Sequence, residues 1–292
     1  MLSDMTLPVS DLEPPARPGV IRLLGVAIAL LLVVAVVSAV VVSSDSRSAA
    51  DRFAAIPAAV AEEPFAFEIR FEGKVPGLPQ GLDFSMTGAA DPATKRMKAE
   101  MDLSAIVPPG MGLAKISLVG EGTVAYVLVP KPDGGQQWTK VDGAALTQGA
   151  TGGLPASTSP LDSFDQLRAV DAEIEEVGEE DVRGTTTTHY RTRLDFRKLL
   201  DALPADRRPP AGSDAEKNLA SMTDVPVDVW LDEDDRPRRQ RMTFDLPGEG
   251  AAAGGSMTIT VEAFDFGTPV VIELPPADQV VDGTGLFGQP AN

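Results

Sequence analysis

Hydrophobic and polar residues alternate with a period of two in a series of segments between about residue 65 and residue 275. In "FAFEIRF" the large apolar positions are Phe65, Phe67, Ile69 and Phe71, separated by Ala66, Glu68 and Arg70. Successive side chains of a strand point to opposite faces, so this spacing predicts a strand with one dry side. "LDFSMTG" and "RMKAEMDLS" continue it through Leu82, Phe84 and Met86, then Met97, Ala99, Met101 and Leu103, with Asp91-Pro92 as the turn between them. "AKISLVGEGTVAYVLVP" reads as a hairpin turning at Gly120-Glu121-Gly122, and "QWTKVD" as a short strand. "TTTTHYRTRLDF" places Thr186, Thr188, Tyr190, Thr192, Leu194 and Phe196 on a dry side, and His189, Arg191, Arg193 and Asp195 on a wet one. "VPVDVWLDEDDRPRRQRMTFDL" and "SMTITVEAFDFGTPVVIELP" close the pattern as alternating strands joined by polar turns.

Helical spacing interrupts the strands in a few places. Residues 49 to 63 predict a short helix interrupted or ended near Pro57. "LDSFDQLRAV", "DFRKLLDALP" and "SDAEKNLASM" predict three more, the last with Ser213 and Glu216 at capping-box spacing. Residues 143 to 160, rich in Gly, Ala, Ser, Thr and Pro, read as a crossing loop. Strands on both sides of a helical middle give an α+β fold around one antiparallel sheet.

Ahead of this lies "LLGVAIALLLVVAVVSAVVV", Leu23 to Val42, which carries no charge. At about 1.5 Å per residue it matches the roughly 30 Å of a bilayer's hydrocarbon core. It reads as an uncleaved signal anchor; a cleaved signal peptide is the alternative, with Ser48-Ala49-Ala50 as a passable cleavage site. The domain plan is then a cytoplasmic leader over 1–19, a transmembrane anchor over 20–43, a spacer over 44–50, an extracytoplasmic domain over 51–282 and a flexible tail over 283–292. Arg17 and Arg22 favour a cytoplasmic N-terminus, although Arg47 and Arg52 follow the apolar run. The expected location is the plasma membrane, single-pass, with the C-terminal domain outside.

Charge and composition remove several function classes. Lys and Arg total 25 against 43 Asp and Glu, a formal charge of -18, which excludes a phosphate-tracking nucleic-acid partner. With no cysteine there is no disulfide, thiolate metal site, thiol nucleophile or lipidated cysteine. His189 is the single histidine and no partner for it is identifiable, so it reads as structural and no catalytic residue is assigned. Asp232 to Asp235 lacks the spacing of a calcium loop and sits where two strands need a turn, so no metal is expected. "GTGLFG", Gly283 to Gly288, formally matches a dinucleotide string, but no helix and strand follow it, so no cofactor is expected.

The dry face offers the candidate site. Its apolar residues, Phe67, Ile69, Phe84, Met86, Met97, Met101, Val227, Val229, Met242, Phe244, Ile259 and Val261, are rich in methionine, whose unbranched side chain suits flexible acyl chains. Ordinary core packing is the alternative use of the same residues. "GTVAYVLVP" with "WTKVD", "VGEEDVRGTTTTHYRTRLDF", "VPVDVWLDEDDRPRR" and "VEAFDFGTPVVIELPPADQVVD" together resemble, in order and spacing, the mycobacterial LppX/LprG lipoproteins of the LolA-like superfamily. The resemblance runs from about residue 60 to residue 282. It implies a curved antiparallel half-barrel whose concave face is covered by helices, and carriage of acylated lipids or lipoglycans in an apolar cavity between the two. In such proteins a lipidated cysteine provides the tether; here the apolar helix takes that place.

A carrier of this kind needs no catalyst. Exposing an acyl chain to water costs about 0.8 kcal/mol per CH₂, on the order of 12 kcal/mol for sixteen carbons, which a closed cavity offsets. Helices near 195 to 203 and 213 to 222 are the expected lid. Expected partners are the acylated ligand, the plasma membrane and an envelope transport partner. The alternative reading is a ligand-free sensory or structural module signalling through the transmembrane helix to the leader.

Overall fold

The computed structural model describes residues 49–60, 63–74, 81–104, 115–130, 135–142, 174–202, 211–246 and 255–283. The predicted leader, anchor, most of the spacer, the 143–160 loop, the "LDSFDQLRAV" helix and all but the first residue of the tail lie outside them.

The alternating segments form one twelve-stranded sheet in the order β12-β6-β5-β4-β3-β2-β1-β11-β10-β9-β8-β7. The strands are β1 (Phe65–Lys74), β2 (Leu82–Asp91), β3 (Arg96–Asp102), β4 (Lys115–Glu121), β5 (Val124–Pro130), β6 (Gln136–Asp142), β7 (Ile174–Val182), β8 (Thr185–Leu194), β9 (Val225–Leu231), β10 (Pro237–Leu246), β11 (Gly255–Phe264) and β12 (Val280–Asp282). Within β1–β6 and within β7–β11 consecutive strands pair antiparallel, and β1 joins the two halves by pairing with both β2 and β11. The expectation of a purely antiparallel sheet needs one correction, since β12 pairs parallel with β6. A second concerns "VVIEL", which reads as part of the last alternating stretch. The ladder stops at Phe264, and 268–276 instead cross the outside of β3, where Arg96 and Lys98 donate to the carbonyls of Ile272 and Val271.

Three helices are described: α1 (Ala49–Val60), α2 (Phe196–Ala202) and α3 (Asp214–Ser221). Helix α1 runs through Pro57 rather than ending there. Proline removes one intrahelical bond in the last turn, and burial of Phe53 and Ile56 in the core offsets that loss. At α3 the Ser213 hydroxyl accepts from the Glu216 N–H as predicted, but the Glu216 carboxylate accepts from Gly212 rather than closing the box on Ser213.

Two ends of the sheet differ. One, the turn end, carries the β2–β3, β4–β5, β7–β8 and β9–β10 turns, the entry to β1 and the exit from β11. At the opposite end α2 and α3 follow β8 and precede β9, tied by the Phe196 N–H donating to the Met222 carbonyl. The sheet is also curved. At about 4.8 Å per strand, β8 and β1 would stand about 19 Å apart on a flat surface. Yet Arg183, at the tip of the β7–β8 hairpin, donates to Glu262 on β11 and to Glu68 on β1, each at 2.5 Å.

Candidate functional site

Pairing register puts all twelve candidate residues on one face. One row runs Met101, Met86, Ile69, Val261, Gln240, Val229 and Tyr190 from β3 to β8. The next, toward the opposite end, runs Phe84, Phe71, Ile259, Met242, Val227 and Thr192. Phe244 lies beyond it, paired with Met257. Phe67 and Met97 lie on the turn-end side, paired with Gly88 and with Ala90. Sequence reasoning missed Gln240, a buried amide in the middle of the apolar row, because the surrounding "RPRRQRM" pattern reads as a wet stretch.

The twelve divide by burial. Val227, Val229, Met242 and Ile259 are only 1% exposed. They belong to one buried cluster with Ala49, Phe53 and Ile56 of α1, whose Arg52 meets β8 and the β9–β10 turn. Phe53 of α1 packs edge-on against Tyr190, with ring centroids 5.8 Å apart. Toward the opposite end Phe71 stacks on Phe84, and Leu103, Met257 and Phe196 complete a closed packing. The remaining corner, where β1, β2, β3 and β11 approach the turn end, is open in part: Phe65, Ala90, Met97 and Val261 are partly exposed members of the same cluster. Its floor is built of small residues, Gly88, Ala90, Ala99 and Gly120. A methyl group added at Gly88 would meet the Phe67 ring at 2.4 Å, and one at Gly120 would meet Met97 Cγ at 2.9 Å. Phe67 and Met97 therefore lie flat over glycine, and any side chain at either glycine would lift them.

Helix α1 is fastened by charge as well as by apolar contact. Arg52 Nε donates to Asp235 Oδ1 at 2.5 Å, one Nη to the Tyr190 hydroxyl at 3.1 Å and the other to the Asp232 carbonyl at 2.6 Å. Both charged side chains are buried. Burial works against the guanidinium charge, but the bonds and charges of Asp235 and Tyr190 together outweigh it and Arg52 is held above its ordinary pKa; burial raises Tyr190 above its own. The Asp232–Asp235 run is the predicted hairpin turn. Asp232 Oδ1 accepts from the Asp234 and Arg236 backbone N–H groups, and Asp235 takes the left-handed conformation with φ 63°.

On the outer face the expectation for His189 needs correction. Its side of β8 was predicted wet, but the ring is buried at 3% exposure, stacked on Trp230 at 4.2 Å. Nδ1 lies 3.0 Å from Glu180 Oε1 and Nε2 lies 2.8 Å from Asp228 Oδ1. Glu180 also accepts from Trp230 Nε1, and Asp228 from Arg191 and Arg241. The Trp230 bond is the largest influence holding Glu180 below its ordinary pKa. For Asp228 burial pushes the pKa up, and bonds from His189, Arg241 and Arg191 more than reverse it. Periodicity assigned the face but not the cover, which a stacked tryptophan and bridging carboxylates from other strands provide. Every partner of the imidazole is thus a structural ion-pair member, and Arg239 and Arg241 complete the cover over Trp230.

The fold is similar to several solved bacterial proteins. The Mycobacterium tuberculosis lipoprotein LppX matches 76% of this chain and 97% of its own at 13% identity and a TM-score of 0.45. LprF from Mycobacterium bovis matches 76% and 93% at 11% identity and a TM-score of 0.36. A LolA-superfamily protein from Nitrosomonas europaea matches 75% and 94% at 8% identity and a TM-score of 0.26. In sequence, the chain is 29% identical over 163 residues to an uncharacterized 31.2 kDa protein in the rplA–rplJ intergenic region of Streptomyces griseus. The match covers 53% of this chain, and the chain spans about half the length of that curated relative. No family model matches. The similarity is one of fold, a large curved and mostly antiparallel sheet with few helices, and what the chain binds is read from its own residues.

Proposed function

We propose that this chain is a membrane-anchored extracytoplasmic binding protein or carrier for acylated lipids or lipoglycans, working without catalysis. The observation that carries the reading is the group of partly exposed apolar residues at one corner of the sheet's apolar face, Phe65, Ala90, Met97 and Val261. A solvent-accessible apolar surface on a chain of net charge -18 is costly unless something covers it, and an acyl chain is the matching cover. The floor of glycine and alanine leaves depth for a tail, and Met97 and Phe67 are the side chains that move aside for it. Of the twelve candidate residues, Phe67, Ile69, Met86, Met97, Met101 and Val261 are those proposed to touch ligand. Val227, Val229, Met242 and Ile259 serve packing around α1, and Phe84 and Phe244 the closed end.

Native mass spectrometry of the full chain extracted from its membrane, followed by lipid extraction, tests the reading. Stoichiometric acyl species bound to the protein and displaced by added fatty acid are expected. A protein that emerges bare, and takes up no acyl chain from added lipid, overturns it.

A further inference from the structure

We propose that the turn end of the sheet, with the open corner of the apolar face, is apposed to the outer surface of the plasma membrane, so that acyl chains pass directly between that corner and the bilayer. The inference rests on the anchored-carrier reading and adds to it an orientation and a partner surface.

Two independent observations converge on it. The first is the length of the tether. The predicted span ends at residue 43 and α1 begins at Ala49, so the intervening residues reach at most about 20 Å fully extended. Three residues into α1, Arg52 is bound to Asp235 and to the Asp232 carbonyl, which fixes the start of the helix to the β9–β10 turn. Strand β9, Val225–Leu231, carries the chain roughly 20 Å from the opposite end to that turn. A tether no longer than a strand, attached at the turn end, holds that end toward the bilayer and the α2–α3 end away from it.

The second is the gradient of burial along the apolar face. Moving from the opposite end to the turn end, β1 passes from Phe71, fully buried, through Ile69 and Phe67 to the partly exposed Phe65. Strand β2 passes from buried Phe84 to partly exposed Ala90, and β11 from buried Ile259 to partly exposed Val261. The face therefore opens at this corner, where the tether places the membrane, in addition to the partly exposed Ile174, Leu200 and Met222 near the other end. The arginines of this rim are also engaged within it, Arg183 by Glu262 and Glu68, Arg236 by Asp234 and Glu63, and Arg238 by Asp232. Their partners' carboxylates are thereby neutralised where an acidic chain approaches anionic lipid.

The absence of cysteine permits clean single labels. Full-length Glu233→Cys and Thr223→Cys proteins, both substitutions at exposed positions, one at the β9–β10 turn and one before β9 at the other end, are labelled with a fluorophore. They are reconstituted in phosphatidylcholine–phosphatidylglycerol vesicles containing headgroup spin-labelled lipid. Quenching several-fold stronger at position 233 than at 223 is expected. A third protein carries a long Gly-Ser insertion after Ser46 and is expected to equalise the two labels and to slow transfer of a pyrenyl fatty acid from vesicle to protein by several fold. Equal quenching without the insertion, or stronger quenching at 223, overturns the orientation while leaving the carrier reading intact. Protein that fails to float with the vesicles overturns the anchor together with the orientation. Uptake of pyrenyl fatty acid by the same protein in detergent reports separately on the carrier reading.

Discussion

The apolar face of this sheet holds two regions made from the same residue types and used differently. Around α1 and along the middle of the sheet, valine, methionine and phenylalanine are packed to near-complete exclusion of water, with Leu200 and Met222 partly exposed at the α2–α3 end. At the turn-end corner of β1, β2, β3 and β11, Phe67 lies buried over Gly88, while Phe65, Ala90, Met97 and Val261 stay partly exposed. The difference comes from what sits above and below the face, not from the hydrophobicity of the face itself. A helix clamped by a buried ion pair closes one region, while a floor of small residues lowers the other.

The largest effect is expected from removing the clamp. Arg52→Ala leaves the Asp235 carboxylate buried without its charge partner and should cost about 3–5 kcal/mol in urea denaturation. Replacing both Arg52 and Asp235 by leucine should recover most of it, because the desolvated charges leave together. A cost well below 1 kcal/mol for Arg52→Ala would mean that α1 does not seal its half. Next, Phe71→Ala in the closed packing should cost about 3–4 kcal/mol, whereas Met97→Ala in the open corner should cost about 1 kcal/mol, yet reduce acyl uptake more. Equal stability losses would erase the contrast between the regions. Gly88→Ala tests the floor: the added methyl meets both the Lys98 carbonyl on β3 and the Phe67 ring, which should cost about 1–3 kcal/mol and weaken uptake of a pyrenyl fatty acid.

The smallest effect separates the apolar face from the polar one behind it. Asp228, Glu180 and Glu262 all have pKa values depressed in the fold. Their contribution is therefore complete above the ordinary carboxylate range near pH 4 and is lost as pH falls through the depressed values. The urea midpoint should drop on acidification below about pH 4, and Asp228→Asn should show a shallower drop from a lower starting point. Acyl uptake at pH 5 and pH 7 should be the same, because none of these carboxylates faces the apolar side.

Much of this division was legible in the sequence only as a face. Alternation at Phe67, Ile69 and Phe71, and again at Met97, Ala99 and Met101, specified which side chains share a side, because a strand's period of two survives any later packing. Cover was not legible, since it depends on residues far away in the chain. Arg52 read as a charge trailing a membrane span, but its partner Asp235 lies 183 residues on. His189 read as a structural residue on a wet side, and its cover could not be seen because Trp230 sits on the neighbouring strand β9. Gly120 read as the start of a hairpin turn but lies within β4 beneath Met97, and the use of Gly88 appears only when Phe67 is seen lying over it. The helices near 195 to 203 and 213 to 222, expected as a lid, stand at the closed end beside Phe71, not at the open corner.

The central claim is that acyl chains occupy the open corner rather than the sealed core. Photocrosslinking with a diazirine fatty acid, followed by peptide mapping of the adducts, tests it most directly. Adducts concentrated at Phe67, Met97, Met101 and Val261 are predicted. Adducts confined to Val227, Val229 and Met242, or spread over the outer surface without competition by unlabelled fatty acid, would contradict it.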